Sequence, residues 1–354
     1  MRIAMDIREA CKDSPTGKGQ WLRGLLQEFL RRDIPLQAYS DVDLPPSFHG
    51  SSLKSVVFPM HGVRWHRAVA RRLLREREAD VYLSPTSFIV PFLLGTTFPC
   101  VPVVHDLIAF TDKSHERRAT WIERLMLPRA LRSAAHVVTV SATTKQILLE
   151  RFPSLSGDRI TPVFAGPSAV HATEQRPDGR TILCVGTLSP RKNQRSLIEA
   201  FTRLPEHLRA QSRLVLAGGR GWRDDEIVRL AGETPGVEWL GYVDDPTYRT
   251  LLSSCTVLAL PSFDEGFGLQ VLDALQSGVP VLTSGRGALR EVCGNAAHYV
   301  DPEDIASIAS GLELLLTNER LRFDLRERAR EQAKQYSWAR TADLLLEALG
   351  EALC

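Results

Sequence analysis

The chain has no CxxC pair and no metal-ligand spacing. Its six cysteines (Cys11, Cys100, Cys184, Cys255, Cys293 and Cys354) stand far apart, which reads as reduced, mostly buried thiols of a cytoplasmic protein. It has no charge excess either. Lys and Arg number 44 against 42 Asp and Glu, a formal charge of +2, too balanced for a general nucleic-acid binder. Low complexity and short repeats are missing. A hydrophobic share of 44% with 24% charged residues excludes disorder, collagen and coiled coil. One nearly uncharged stretch, 87–104, has about the length of a membrane span, but Pro91, Gly95, Pro99 and Pro102 interrupt it. It reads as loops between buried strands. The first residues, MRIAMDI, carry Asp6 inside an apolar run and are expected to form a strand, not a signal peptide.

What is there is an alternation. At 354 residues the chain exceeds what one core usually supports, so two domains are expected. Short apolar runs at 2–7, 36–39, 55–58, 81–83, 101–104 and 137–140 alternate with helical periods at 21–32, 64–78, 121–133 and 143–151. A second series follows, with strands at 181–185, 213–217, 237–240, 256–260 and 279–283 and helices between and after them. This is the α/β pattern of parallel sheets covered by helices. The polar stretch 167–180, rich in breakers, reads as a linker between domains 1–166 and 181–338. In doubly wound units ligands bind outside the carboxyl ends of the strands, so two units suggest a cleft. Charge divides unevenly: residues 1–150 hold 21 basic and 15 acidic side chains, and the remainder carries a net −4. Much of the excess lies between Arg64 and Arg77. There Arg64, Arg67, Arg71 and Arg75 share a helical face beside Trp65, Val69 and Leu73, a pattern that suits an anionic membrane surface or equally a solvated helix.

Four segments carry candidate chemistry. In PSFDEGFGLQVLDALQSGVP (261–280) a strand gives way to a Gly-rich turn and a helix, where backbone N–H groups can meet a phosphate. Gly266 and Gly268 permit close approach. Glu265 stands at the turn and Asp273 about two helical turns on; as bare motifs they could equally be a cap and a solvated acid. In LCVGTLSPRKN (183–193) Arg191 and Lys192 could neutralise a diphosphate, with Asn193 a helix N-cap, or they could form an exposed basic turn. In VVHDL (103–107) His105 follows a strand and could hydrogen-bond a sugar or assist at a reacting centre, or cap a loop. The fourth, TGKGQ (16–20), reads as a short Gly-loop before a helix.

The ordered set VGTLSPRKN, LVLAGGRGW (214–222), WLGYV (239–243), PSFDEGFGLQVLDA, VVHDL, TVSATTK (139–145) and YSW (336–338) resembles glycosyltransferase family 4 over nearly the whole chain. That resemblance implies the GT-B fold: two Rossmann-like doubly wound domains facing across a cleft, with a C-terminal helix, 339–354, crossing back to complete the first. It implies retaining transfer from a nucleotide-diphosphate sugar. The family's Glu-x7-Glu pair falls on Glu265, for the transferred sugar, and Asp273, for the ribose. Arg191 and Lys192 would hold the diphosphate with the backbone of Gly266, Phe267, Gly268 and Leu269. His105 would contact the donor sugar, Gly17, Lys18 and Gly19 would line the phosphates, and Gly186 with Gly241, Tyr242 and Val243 would complete the donor site. The resemblance implies no metal and no cofactor beyond the substrate, a GDP-mannose donor over UDP-sugars, and a glycan or lipid-linked oligosaccharide acceptor at the inner membrane face.

Two departures stand out: Asp at 273 is one methylene shorter than the family's Glu, and Thr187 occupies a place that is Arg in many relatives. They keep open a catalytically weak donor-binding subunit; a GT-B sugar-nucleotide epimerase, acting on the donor without an acceptor, is the other alternative.

Overall fold

The computed structural model describes residues 1–111, 117–168 and 177–354. They form two compact units, Met1–Gly166 with Ser337–Cys354, and Pro167–Tyr336.

In the first unit β1 (Ile3–Asp6), β2 (Leu36–Ser40), β3 (Leu53–Val57), β4 (Val81–Ser84), β5 (Cys100–Val104), β6 (Val137–Thr139) and β7 (Ile160–Pro162) lie parallel in the order β3-β2-β1-β4-β5-β6-β7. β1, β2, β4 and β5 are buried along their whole length. A sheet covered on both faces demands such continuous apolar runs. Chain direction from β1 reverses between β1 and β4, which pair with Ile3 beside Val81 and Met5 beside Leu83. The residues after both strands therefore emerge together at the sheet's carboxyl edge.

The helix Trp338–Glu351, started by Ser337 accepting from Arg340 N, completes this unit. It packs against the helix Gly17–Arg31 so closely that a Cβ on Gly24 would meet the Trp338 ring at 2.1 Å. Trp21 lies edge-on to Trp338 at 6.4 Å, and Arg32 bonds the Ala339 carbonyl at 2.8 Å.

In the second unit β8 (Thr181–Val185), β9 (Arg213–Ala217), β10 (Val237–Trp239), β11 (Val257–Leu260), β12 (Val281–Ser284) and β13 (Ala297–Val300) run in the order β10-β9-β8-β11-β12-β13. Its reversal lies between β8 and β11, the position at which such sheets bind ligands.

Several expectations change. The Gly-loop at 16–20 is the first turn of the helix Gly17–Arg31, with Gln20 N bonded to Thr16 O at 2.8 Å. Within 87–104 a short helix, Ile89–Leu94, precedes β5. Pro91 sits in its first turn, where the missing N–H costs nothing. β7 and β13 were not anticipated. Of the expected linker, 169–176 lies outside the described residues; its flanks belong to the second unit, where Asp178 N bonds Ser254 O at 2.9 Å. The basic helix runs Gly62–Glu76. Arg64, Arg67, Arg71 and Arg75 are exposed on it, while Trp65, Val69 and Leu73 are buried. Among the described residues no helix is long and apolar enough to cross a membrane.

Candidate active site

The carboxyl ends of β8 and β11 bring two distant sequence segments together. After β8 the chain turns at Gly186 into a single 3-10 turn, Pro190–Lys192, before the helix Gln194–Thr202. After β11 it runs through 261–268 into the eight-residue helix Leu269–Gln276. Between them Glu265 takes Arg191 Nη1 at 2.9 Å on Oε2 and Lys192 Nζ at 2.7 Å on Oε1. The Ser262 hydroxyl donates to Oε1 at 2.9 Å, and Phe263 N to the Arg191 carbonyl at 2.9 Å.

Lys192 is 6% exposed and Glu265 6%, so an exposed basic turn does not describe the first, and the second is a buried partner of cations rather than a simple cap. Burial alone would raise the Glu265 carboxyl, but the two cations overcome it and hold the group down to about 2. Burial pulls the Lys192 ammonium down, and Glu265 opposes that pull. Two cations share one carboxylate, leaving this small buried cluster with a net positive charge.

Four glycines make the arrangement possible. A Cβ on Gly186 would press Lys192 Cε at 3.2 Å; one on Gly218 would strike the Gly186 carbonyl at 2.1 Å. Gly287, at φ +55, lets its chain pass within 2.6 Å of Glu265 N as measured to a would-be Cβ, and Ala288 N bonds the Glu265 carbonyl at 2.9 Å. Gly268 starts its helix at φ +95, where a side chain would be strained. Gly218 N also bonds Gly241 O at 2.7 Å, so the Gly186 turn and the 241–243 loop form one rim across β8, β9 and β10. Tyr242 is exposed on that rim, and Phe267 is buried edge-on to Tyr336 at 5.7 Å.

Asp273 is not the solvated acid that its spacing alone also allowed. It is buried, and its oxygens accept from Ser168 N at 2.7 Å, Ser168 Oγ at 2.8 Å and Tyr248 OH at 3.1 Å. Burial lifts the carboxyl to about 6 against these three neutral donors. Asn193 also differs: its side chain caps no helix and instead donates to the carbonyls of Pro261 at 3.0 Å and Pro302 at 2.7 Å. It ties the two segments of the site together.

In the first unit His105 follows β5. Its Nε2 lies 2.7 Å from the Pro85 carbonyl and its ring stands edge-on to Trp21 at 5.3 Å. Burial, seconded by the Lys18 charge, pushes it down to about 4, so it is neutral at physiological pH. Lys18 pairs with Asp106 at 3.5 Å, which unites the 16–20 and 103–107 segments. Gly19 serves packing: a Cβ there would meet the Glu9 carbonyl at 2.7 Å. Around Gly17 no such atom lies within 4 Å.

The pattern of the family "Glycosyl transferases group 1" matches residues 169–336. The O-antigen chain mannosyltransferase B of Escherichia coli is 32% identical over 282 residues, 75% of this chain and 72% of that protein. The chain belongs to the group 1 glycosyltransferases. The O-antigen chain mannosyltransferase RfbU of Salmonella typhimurium is 23% identical over 78% of this glycosyltransferase and 76% of its own length. The serotype-specific mannosyltransferase WbdA of E. coli is 34% identical, but the match spans only 21% of it. In fold, the glycosyltransferase superposes on Anabaena HepE, solved with UDP and glucose, at a TM-score of 0.79 with 18% identity over 99% of each chain. WaaG, a glycosyltransferase of lipopolysaccharide biosynthesis, follows at 0.73 with 19% identity over 98% of each. Sequence reasoning missed the supports of the site: Ser262, Gly287, Ser168 and Tyr248. Ser262 lies within the 261–280 segment, three residues before the glutamate it bonds; Gly287, Ser168 and Tyr248 lie outside the four segments that carried candidate chemistry.

Proposed function

We propose that this glycosyltransferase moves mannose, with retention and without a metal ion, from GDP-mannose to a glycan or lipid-linked glycan. The observation that carries the reading is the buried Arg191–Lys192–Glu265 cluster at the carboxyl ends of β8 and β11. Its net positive charge is fixed before substrate arrives, and preorganised charge where charge develops is usually the largest catalytic term. The choice of mannose rests on the relatives, which are named as mannosyltransferases.

In the proposed reaction the bond from the anomeric carbon to the diphosphate oxygen breaks as an acceptor hydroxyl approaches the same face. The departing oxygen takes the hydroxyl's proton, and the new glycosidic bond keeps the configuration. Arg191 and Lys192 hold the charge that arrives on the diphosphate. Neutral His105 is a hydrogen-bonding partner for the sugar rather than a cation. Protein docking at an anionic inner membrane face is assigned to Arg64, Arg67, Arg71 and Arg75; co-sedimentation with phosphatidylglycerol vesicles separates it from a merely solvated face.

A panel of nucleotide sugars incubated with the purified protein tests the reading. Slow hydrolysis is expected for GDP-mannose above the others, with Lys192→Ala lowering kcat by about 10²–10³-fold. Near-normal turnover in that variant, or preference for a UDP-sugar, refutes the assignment.

A further inference from the structure

The first unit has its own buried ionic cluster at the reversal of its sheet, and none of it enters the reaction described above. Asp6 ends β1 and is fully buried. Arg8, two residues on, grips it twice, with Nε 3.0 Å from Oδ1 and Nη2 2.8 Å from Oδ2. The guanidinium lies over the Trp65 ring, 3.5 Å from its centroid. Nη2 also meets His66 Nε2 at 3.1 Å. His66 Nδ1 sits 2.8 Å from the Gly62 carbonyl, so that nitrogen carries the hydrogen and Nε2 is the acceptor, for Arg8 and for the Ser87 hydroxyl at 3.2 Å.

The guanidinium is thus fixed from below by an aromatic face and along one edge by a carboxylate and an imidazole. Its remaining nitrogen, Nη1, donates to no protein group among the described residues. The Arg8 side chain is 18% exposed and Asp6 0%, so what solvent reaches the pair reaches the arginine. Such a rigid fork loses little freedom when it binds a ligand. Charge selects the ligand's chemistry. Asp6 cancels Arg8, and His66, lowered by burial and by Arg8 beside it, adds no charge. Two directed N–H groups without net charge suit a hydroxyl rather than a phosphate. Location selects its role: the loop after β4 bonds His66 through Ser87 and His105 through the Pro85 carbonyl. Arg8 therefore stands one short loop from the histidine assigned to the transferred sugar.

We propose that Arg8 binds the acceptor, donating through Nη1 to a hydroxyl of the glycan that receives the sugar, and that Asp6, Trp65 and His66 are positioning residues for it. The inference rests on the mannosyl-transfer reading and names the acceptor side of it.

The test is steady-state transfer from GDP-mannose to an α-linked mannobiose as the acceptor probe. Arg8→Lys keeps the charge and loses the fork; it is expected to raise the mannobiose KM at least about tenfold while the GDP-mannose KM changes less than twofold. The double variant Asp6→Asn/Arg8→Gln, which strands no buried charge, is expected to show the same split. An unchanged mannobiose KM in both variants overturns the inference, as does a parallel rise in both KM values. Competition of inorganic phosphate against mannobiose overturns it too, by marking an anion site. Those outcomes leave mannosyl transfer standing, whereas a wild-type protein inert toward GDP-mannose overturns that reading and this inference together.

Discussion

The two sheets carry the same device at the same place and charge it differently. In each, an arginine from the loop after the first strand of the unit meets a carboxylate at the sheet's reversal: Arg8 with Asp6 at 2.8 Å, and Arg191 with Glu265 at 2.9 Å. In the first unit the pair is neutral and is completed by an uncharged histidine. In the second, Lys192 joins it and leaves one positive charge. On the readings proposed above, that one lysine separates an arrangement suited to a hydroxyl from one suited to a leaving phosphate. The difference also has a stability side, because a buried ion pair is at best weakly stabilising, while a buried cation without its anion is costly.

Removing the anion should therefore break the second unit hardest. Glu265→Gln leaves Arg191 and Lys192 facing each other and should cost about 3–5 kcal/mol in urea unfolding. Asp6→Asn strands a single cation that has a path to solvent, and it should cost less. Equal losses in the two variants would show that the extra lysine does not set the two clusters apart.

Much of this was legible in the sequence because parallel strands covered on both faces must be continuously apolar. β8, β9, β11 and β12 lie where their valine, leucine and isoleucine runs put them. Arg191, Lys192 and Glu265 were readable because each follows such a run. The Arg8 cluster was not, although Asp6 inside an apolar strand was its visible trace; its partners His66 and Ser87 are 58 and 21 residues from their contacts. The partners of Asp273 were not legible for a related reason. Its place on the helix was right, but spacing gives no hint that Ser168, 105 residues away, supplies two of its donors. The segment TGKGQ reads as a Gly-loop, yet it forms the first turn of a helix whose Gly19 packs against the Glu9 carbonyl, a contact that spacing does not show.

Titration sharpens the comparison further. His105 in the first unit sits at about 4, below the usual 6.5. Its contribution to stability is whole above pH 6.5 and is lost as pH falls through 4. Asp273 in the second sits at about 6, above the usual 3.8; its contribution is whole below pH 3.8 and is lost as pH rises through 6. Between pH 7 and 5 the two residues pull in opposite directions. Urea unfolding at both pH values should show His105→Gln losing about 2 kcal/mol less than wild type on acidification, and Asp273→Asn failing to gain about 1 kcal/mol. Slopes of the same sign for the two differences would contradict the burial that sets both shifts.

The finest test uses two serines that differ mainly in the charge of what they bond. The Ser262 hydroxyl donates to the Glu265 carboxylate at 2.9 Å, and the Ser87 hydroxyl to the neutral ring of His66 at 3.2 Å. A hydrogen bond to a charged group is worth roughly twice one between neutral groups. Ser262→Ala should therefore cost about 1.5–3 kcal/mol and Ser87→Ala about 0.5–1.5. Ser87 has the further disadvantage of being partly exposed, so water replaces what the hydroxyl gave, while Arg8 still donates to His66 Nε2. Ser87 Oγ also accepts from Ile89 N at 3.3 Å; if Ser87→Ala still proved the costlier of the two in thermal unfolding, the charge of the bonded partner would not be what ranks the two serines.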